Sequence, residues 1–306
     1  MEKLIILSIV GFIAQLIDGA LGMAYGLTSS TLLLAAGAAP AIVSATVHMS
    51  EVVTTAVSGI SHYKFGNVDK KLLFRLTIPG AIGAFIGACF LSNISGEVAK
   101  PYISTFLFLL GFYIIFRFLF RSQEKTKRVV SLSSKQSISL GLFAGFADAT
   151  GGGGWGPIST PILLSKDGMA PHKVIGTVDT SEFAVAVSAT LGFILSLGWE
   201  TVNFLWVIAL ILGGVIAAPI AAWLVRIVPG QLLGLIVGGV IILINARTIL
   251  TTWISNENIH LYIYLFLLIS WILIFIYGIR KMKLAKKHMV HFQESNLDEE
   301  EAVNKP

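Results

Sequence analysis

The sequence holds one cysteine, Cys89, in 306 residues. A single thiol excludes an intramolecular disulfide and leaves no cysteine-based metal motif. Charge is scarce: 13% of residues are Asp, Glu, Lys or Arg, against about 25% in soluble domains. No paired catalytic carboxylates lie in a soluble stretch, so nothing supports an enzyme. The longest glycine run lacks the Gly-Lys-Ser/Thr ending of a phosphate-binding loop. No cofactor and no metal is expected. The N-terminus has only Lys3 as a basic residue and leads straight into an apolar run, so we do not read it as a cleaved signal peptide.

What is abundant is apolar surface. Hydrophobic residues make up 55% of the chain, arranged in many runs near the ~20 residues that cross a bilayer. The lipid bilayer is therefore the expected environment. The net charge of +5 does not imply nucleic acid, because the basic residues cluster between apolar segments as cytoplasmic loops do.

One apolar segment, Gly141–Leu164 (GLFAGFADATGGGGWGPISTPILL), is broken by Gly151–Gly154, Gly156 and Pro157. A glycine costs a helix interior ~1 kcal/mol relative to alanine, and four in a row predict a break. The stretch before it, Ser134–Ala147, would reach about 21 Å as helix against a ~30 Å hydrocarbon core. Two half-helices meeting at an irregular turn at membrane depth are expected, and such a turn needs protein or a watery cavity around it.

The segment occurs twice. At an offset of 130, Gly11, Ala14, Asp18, Gly22, Gly26, Ser29, Leu33 and Leu34 fall on Gly141, Ala144, Asp148, Gly152, Gly156, Ser159, Leu163 and Leu164, and Tyr25 falls on Trp155. A shared Asp inside an apolar run is the least accidental of these. At an offset of 131, Pro40, Thr46, Ser50 and Glu51 meet Pro171, Thr177, Ser181 and Glu182, while His48 meets Asp179. Small residues repeat too, with Gly83 and Gly87 meeting Gly214 and Ala218, spacings that let helices approach closely.

Each half therefore reads as a broken hairpin followed by three spans. The domains expected are 1–121 (first repeat), 122–134 (cytoplasmic linker), 135–252 (second repeat), 253–281 (an extra span) and 282–306 (a cytoplasmic tail, with the acidic Asp298–Glu301 disordered). Lys and Arg fall in Lys64–Arg75, Arg117–Lys135, Ser165–Lys173 and Arg280–Lys287, which puts those stretches in the cytoplasm. The N-terminus then lies outside, the C-terminus inside, and the two halves are inverted. The fold class is an all-α integral membrane protein: an inverted repeat of a broken, re-entrant helical hairpin plus three transmembrane helices, with one extra C-terminal helix. Substrate sites in that plan sit near the midplane, among discontinuous helices.

Two Gly-rich apolar hairpins, each followed by a span with T-x-x-x-S-E (Thr46–Glu51 and Thr177–Glu182), together with GGGGWGP at Gly151–Pro157, resemble the TauE/SafE family of bacterial sulfite exporters, also called TSUP transporters. The resemblance covers roughly Gly11–Leu250. It implies transport of small sulfur-containing anions, such as sulfite or organosulfonates, across the cell membrane. The first hairpin departs from the pattern, reading GMAYG at Gly22–Gly26.

Candidate anion-binding residues are Gly152, Gly153, Gly154, Trp155, Gly156, Ser159 and Thr160, with Gly22, Tyr25, Gly26, Thr28 and Ser29 as their counterparts. A half-helix starting there would aim free N–H groups and a positive dipole end inward, and an anion binds such an end without a buried lysine. The plainer reading is close helix packing around a sharp turn. Asp18 and Asp148 read as coupling or gating groups, or as caps for the exposed N–H groups of the turn. Glu51 and Glu182 lie near mid-span, as proton carriers or gates or as hydrogen-bonded packing groups; Ser50 and Ser181 adjoin them. His48, read as the one histidine inside a span, either faces an anion or packs neutral. Its counterpart Asp179 makes the halves electrostatically unequal, which suits proton coupling.

Three functions compete: a secondary transporter of a small anion, with protons as a coupling partner; a cation transporter or channel using Asp18, Glu51, Asp148 and Glu182; and a non-transporting scaffold. A homodimer is compatible with all three.

Overall fold

The computed structural model describes residues 2–21, 23–120, 132–166, 170–224, 230–254 and 256–303. Gly22, most of the 122–134 linker and the 167–169 part of the Ser165–Pro171 loop lie outside the described residues. All regular structure among the described residues is helical. The first half comprises α1 (Glu2–Leu21), α2 (Tyr25–Ala35), α3 (Pro40–Lys64), α4 (Lys70–Ser92) and α5 (Gly96–Phe120). The second comprises α6 (Ser134–Gly151), α7 (Trp155–Lys166), α8 (Pro171–Leu197), α9 (Phe204–Leu224) and α10 (Gly230–Trp253), followed by α11 (Glu257–Val303). Seven are long and apolar enough to cross a membrane: α3, α4, α5, α8, α9, α10 and the first part of α11. They are the spans expected from the sequence.

Local chemistry sets the helix ends. Pro40 and Pro171 stand in the first turns of α3 and α8, where a missing N–H costs nothing. Asp69 caps α4 by accepting from Leu72 N at 2.9 Å. Ser133 and Gln136 cap α6 reciprocally, satisfying two otherwise orphaned donors.

Two expectations need correction. The stretch before the second break runs further than Ser134–Ala147: α6 has 18 residues and its counterpart α1 has 20, while α2 and α7 have 11 and 12. At 1.5 Å per residue the long arms reach about 30 and 27 Å, and the short arms about 17 and 18 Å. The long helices run past their aspartates because the break is confined to about three residues. Gly152 and Gly153 take φ of +69° and +150°, and Ala24 takes +115°, a region L-residues rarely visit. The second correction is at the C-terminus, where α11 continues to Val303 and so takes in the acidic stretch Asp298–Glu301.

The helices pack in pairs that recur between halves. Gly83 and Gly87 of α4 meet the Leu142 and Phe146 backbone of α6, so α4 and α6 run parallel. Their repeat mates do likewise: Gly11 and Gly19 of α1 meet Leu210 and Ala221 of α9. Glycine allows these backbones to touch. By contrast, α3 and α8 are repeat mates that pack against each other. The His48 ring meets Phe193 at a tilt, ring centroids 6.0 Å apart, and His62 faces Asp179, so α3 and α8 run antiparallel. The mates α5 and α10 are antiparallel as well, with Gly111 against Ile242 and Phe118 against Gly234. α11 lies on α10, where Trp271 Nε1 donates to Leu235 O at 2.9 Å.

Candidate functional site

Each joint is tied by its aspartate. Asp148 Oδ1 accepts from Gly154 N at 2.6 Å and Trp155 N at 2.9 Å, so it caps α7. Asp18 Oδ1 accepts from Tyr25 N at 3.2 Å and caps α2. A carboxylate there complements the positive helix end.

The aromatic that opens each short helix is pinned in turn. Tyr25 OH lies 3.0 Å from Ser50 Oγ, and Trp155 Nε1 donates to Ser181 Oγ and to Val178 O, both at 3.1 Å. Each serine also donates to a carbonyl three residues back, Val47 or Val178. Ser50 and Ser181 therefore anchor the aromatics, and both rings are fully buried. A polar hook on a large ring explains why tyrosine can replace tryptophan.

The joints meet each other. A Cβ on Gly26 would lie 2.7 Å from Gly153 Cα and 3.1 Å from Glu51 Oε1, so the two backbones are in contact. Ser30 Oγ donates to the Gly152 carbonyl. Thr28, Ser29 and Ser159, just inside the short helices, are the unusual groups. Their hydroxyls are shielded from solvent and find no partner, a state most buried polar groups avoid. Thr160 is buried beside Ser159.

Two titratable clusters flank this contact, each shared between halves. In the first, Asp148 of α6 meets α3. His48 Nδ1 lies 2.8 Å from the Ser44 carbonyl and so carries a hydrogen. Its Nε2 lies 3.1 Å from Asp148 Oδ2. Two acceptors cannot sit at that distance unaided, so a proton is held between them. Glu51 Oε2 is 4.0 Å from the same nitrogen. In the second cluster, Asp18 of α1 meets Asp179 and Glu182 of α8, with one carboxylate oxygen of each within 4.8 Å of the others. All six residues are buried.

His62 belongs to the second cluster and has no counterpart in the expectations above. It is the second histidine inside α3, fully buried, with Nε2 3.8 Å from Asp179 Oδ2 and Nδ1 3.2 Å from Asn67 Nδ2. A signal for it exists. Ser44, His48, Glu51, Thr55, Ser58 and His62 recur at intervals of three and four, one face of a helix, and all are buried. Gln15 too has no place among those expectations; it lies one turn before Asp18, buried, with neither amide atom partnered.

The model of the sulfite exporter TauE/SafE family matches residues 7–248. The chain is 63% identical over 265 residues to the probable membrane transporter protein YtnM of Bacillus subtilis (strain 168), covering 86% of this chain and 88% of that protein. It is 24% identical over 177 residues to the probable membrane transporter protein YdhB of the same organism, covering 57% and 71%. No solved structure matches. The family match takes in both broken segments and leaves out α11. The chain belongs to the sulfite exporter TauE/SafE family and is a membrane transporter of that type.

Proposed function

We propose that this protein is a secondary transporter of a small sulfur-containing anion, sulfite- or organosulfonate-like, bound where the two joints meet. The observation that carries the reading is that contact: α2 and α7 both begin at it, so two positive helix ends converge. The unpartnered hydroxyls of Ser29 and Ser159 supply donors one turn further in. The antiparallel packing of the repeat mates α3 with α8 and α5 with α10 supports two inverted halves, with α1–α2 and α6–α7 as re-entrant hairpins. Alternating access then separates and rejoins the joints. The proton between His48 and Asp148, beside Glu51, is the candidate for coupling. The protein spans the cell membrane with its N-terminus outside and its C-terminus in the cytoplasm.

A cation as cargo is the second reading, favoured by five buried carboxylates, Asp18, Glu51, Asp148, Asp179 and Glu182, against two buried imidazoles on the same helices. Flux into liposomes separates the two. Sulfite or a small sulfonate should move, and Ser29→Ala with Ser159→Ala should slow it at least tenfold while the protein still inserts. Cation flux that ignores every sulfur anion would replace this reading with the second; no flux of either kind would leave the scaffold.

A further inference from the structure

The geometry points to a binding site for a hard metal cation at the carboxylates of Asp18, Asp179 and Glu182, apart from the joint contact. Three helical positions from two elements converge there, Asp18 near the end of α1 and the other two one turn apart on α8. One oxygen from each lies within 4.8 Å of the others. Ligands at 2.3–2.6 Å from a hard ion stand up to about 5 Å apart across it, so the spacing fits oxygens arranged around an ion. Asp18 Oδ2 and both oxygens of Asp179 are buried with no well-formed hydrogen bond from a protein donor, which leaves them open to an ion.

Independent groups point into the same place. His62 is fully buried, and its Nε2 is unpartnered while directed at Asp179 Oδ2 from 3.8 Å. Asn67 Nδ2 supplies the hydrogen at Nδ1, which leaves the Nε2 hydrogen aimed at the carboxylate. Three buried carboxyls beside one histidine are kept by holding protons, by pairing or by coordinating a metal, and a cation bound there takes the place of protons. The C-terminal end of α1, a negative dipole end, adds to the same field. Broken transporter helices use such ends for cations. Gln15 brings an unpartnered amide one turn from Asp18, and an amide oxygen is a hard-cation ligand. The sister cluster differs in each respect. Asp148 Oδ1 is satisfied by two N–H groups and Oδ2 by His48, and Gly145 stands where Gln15 does in the first half.

Use of this cation to drive anion movement rests on the reading in the preceding section; its binding does not. The test is therefore run without any sulfur anion. Full-length protein in detergent is unfolded thermally in sodium, calcium or choline chloride at matched ionic strength. Sodium or calcium should raise the unfolding temperature by several degrees, saturably, where choline does not. Glu182→Gln and, separately, Asp179→Asn should abolish most of that rise; Glu182→Gln removes no capping contact and keeps the test alive if Asp179→Asn misfolds. Equal responses to sodium, calcium and choline, or a rise undiminished in both variants, would overturn the site. A cation response without sulfite flux would sink the anion reading alone.

Discussion

At the scale of single residues, Asp148 does two jobs with two oxygens. Oδ1 caps α7 and Oδ2 holds the proton shared with His48. Asp148→Asn keeps a cap acceptor but turns a donor or a neutral oxygen towards His48. Asp148→Ala removes both functions and leaves a buried imidazole with no partner at Nε2. A lost cap costs about 0.5–2 kcal/mol, and breaking a buried charged pair about 3–5 kcal/mol. Both variants break the pair and only Asp148→Ala also loses the cap, so Asp148→Ala should lose more stability than Asp148→Asn by about 0.5–2 kcal/mol, read by denaturant unfolding in detergent. Pairing each change with His48→Gln should recover part of the loss, because the cycle removes both partners. Equal losses for Asn and Ala would mean that the cap contributes nothing. The aspartates themselves were legible in the sequence, since each sits at the same place in two copies. Comparison of the halves hides Gln15 and His62, because their repeat mates are Gly145 and Phe193; only the three-and-four spacing along α3 marks His62.

At the scale of elements, the sequence announces each break but not its extent. A glycine run is not needed for a joint, since the first reads GMAYG and turns at Ala24; in the second, Gly151 completes α6 and only Gly152 and Gly153 of the run take positive φ. What selects glycine is the opposite joint. Gly26 faces Gly153 across a backbone contact that a methyl group would occupy. Overpacking of this kind costs about 1–3 kcal/mol, and the strain would fall on the contact that the proposed transport cycle opens and closes. Gly26→Ala should fold and insert, with unfolding shifted by that amount, and should cut flux far more than its stability loss explains. Gly37 has open space around it, so Gly37→Asn, which tolerates the left-handed backbone, serves as the surface comparison and should change flux little. A Gly26→Ala protein with full flux would show that the joints never need to touch. The aromatic hooks follow the same logic. Tyr25 with Ser50 and Trp155 with Ser181 repeat one contact, and a single sequence gives both residues without the pairing.

At the scale of the molecule, the two halves are woven together rather than set side by side. The Asp148 carboxylate of one completes the His48 cluster of the other, and Asp18 does the same at Asp179. Without the second half, His48 would have no hydrogen-bond partner at Nε2. The loop charges carried the proposed inversion at the sequence level, but the exchange of acids between halves needs tertiary contacts that no loop composition encodes. Inversion has one consequence that packing alone does not force: equivalent loops face opposite sides of the membrane. The α3–α4 loop and the α8–α9 loop are equivalent, and Lys64 and Glu200, at their starts, are both exposed. With Cys89, the one native thiol, replaced by serine, Lys64→Cys and Glu200→Cys give two single-thiol proteins. An impermeant maleimide added to intact cells should label Glu200→Cys and should reach Lys64→Cys only after the membrane is opened. Both thiols labelling from the same side would make the halves a direct repeat. The convergence of α2 and α7 at one depth, on which anion binding between the joints depends, would then lose its geometric basis.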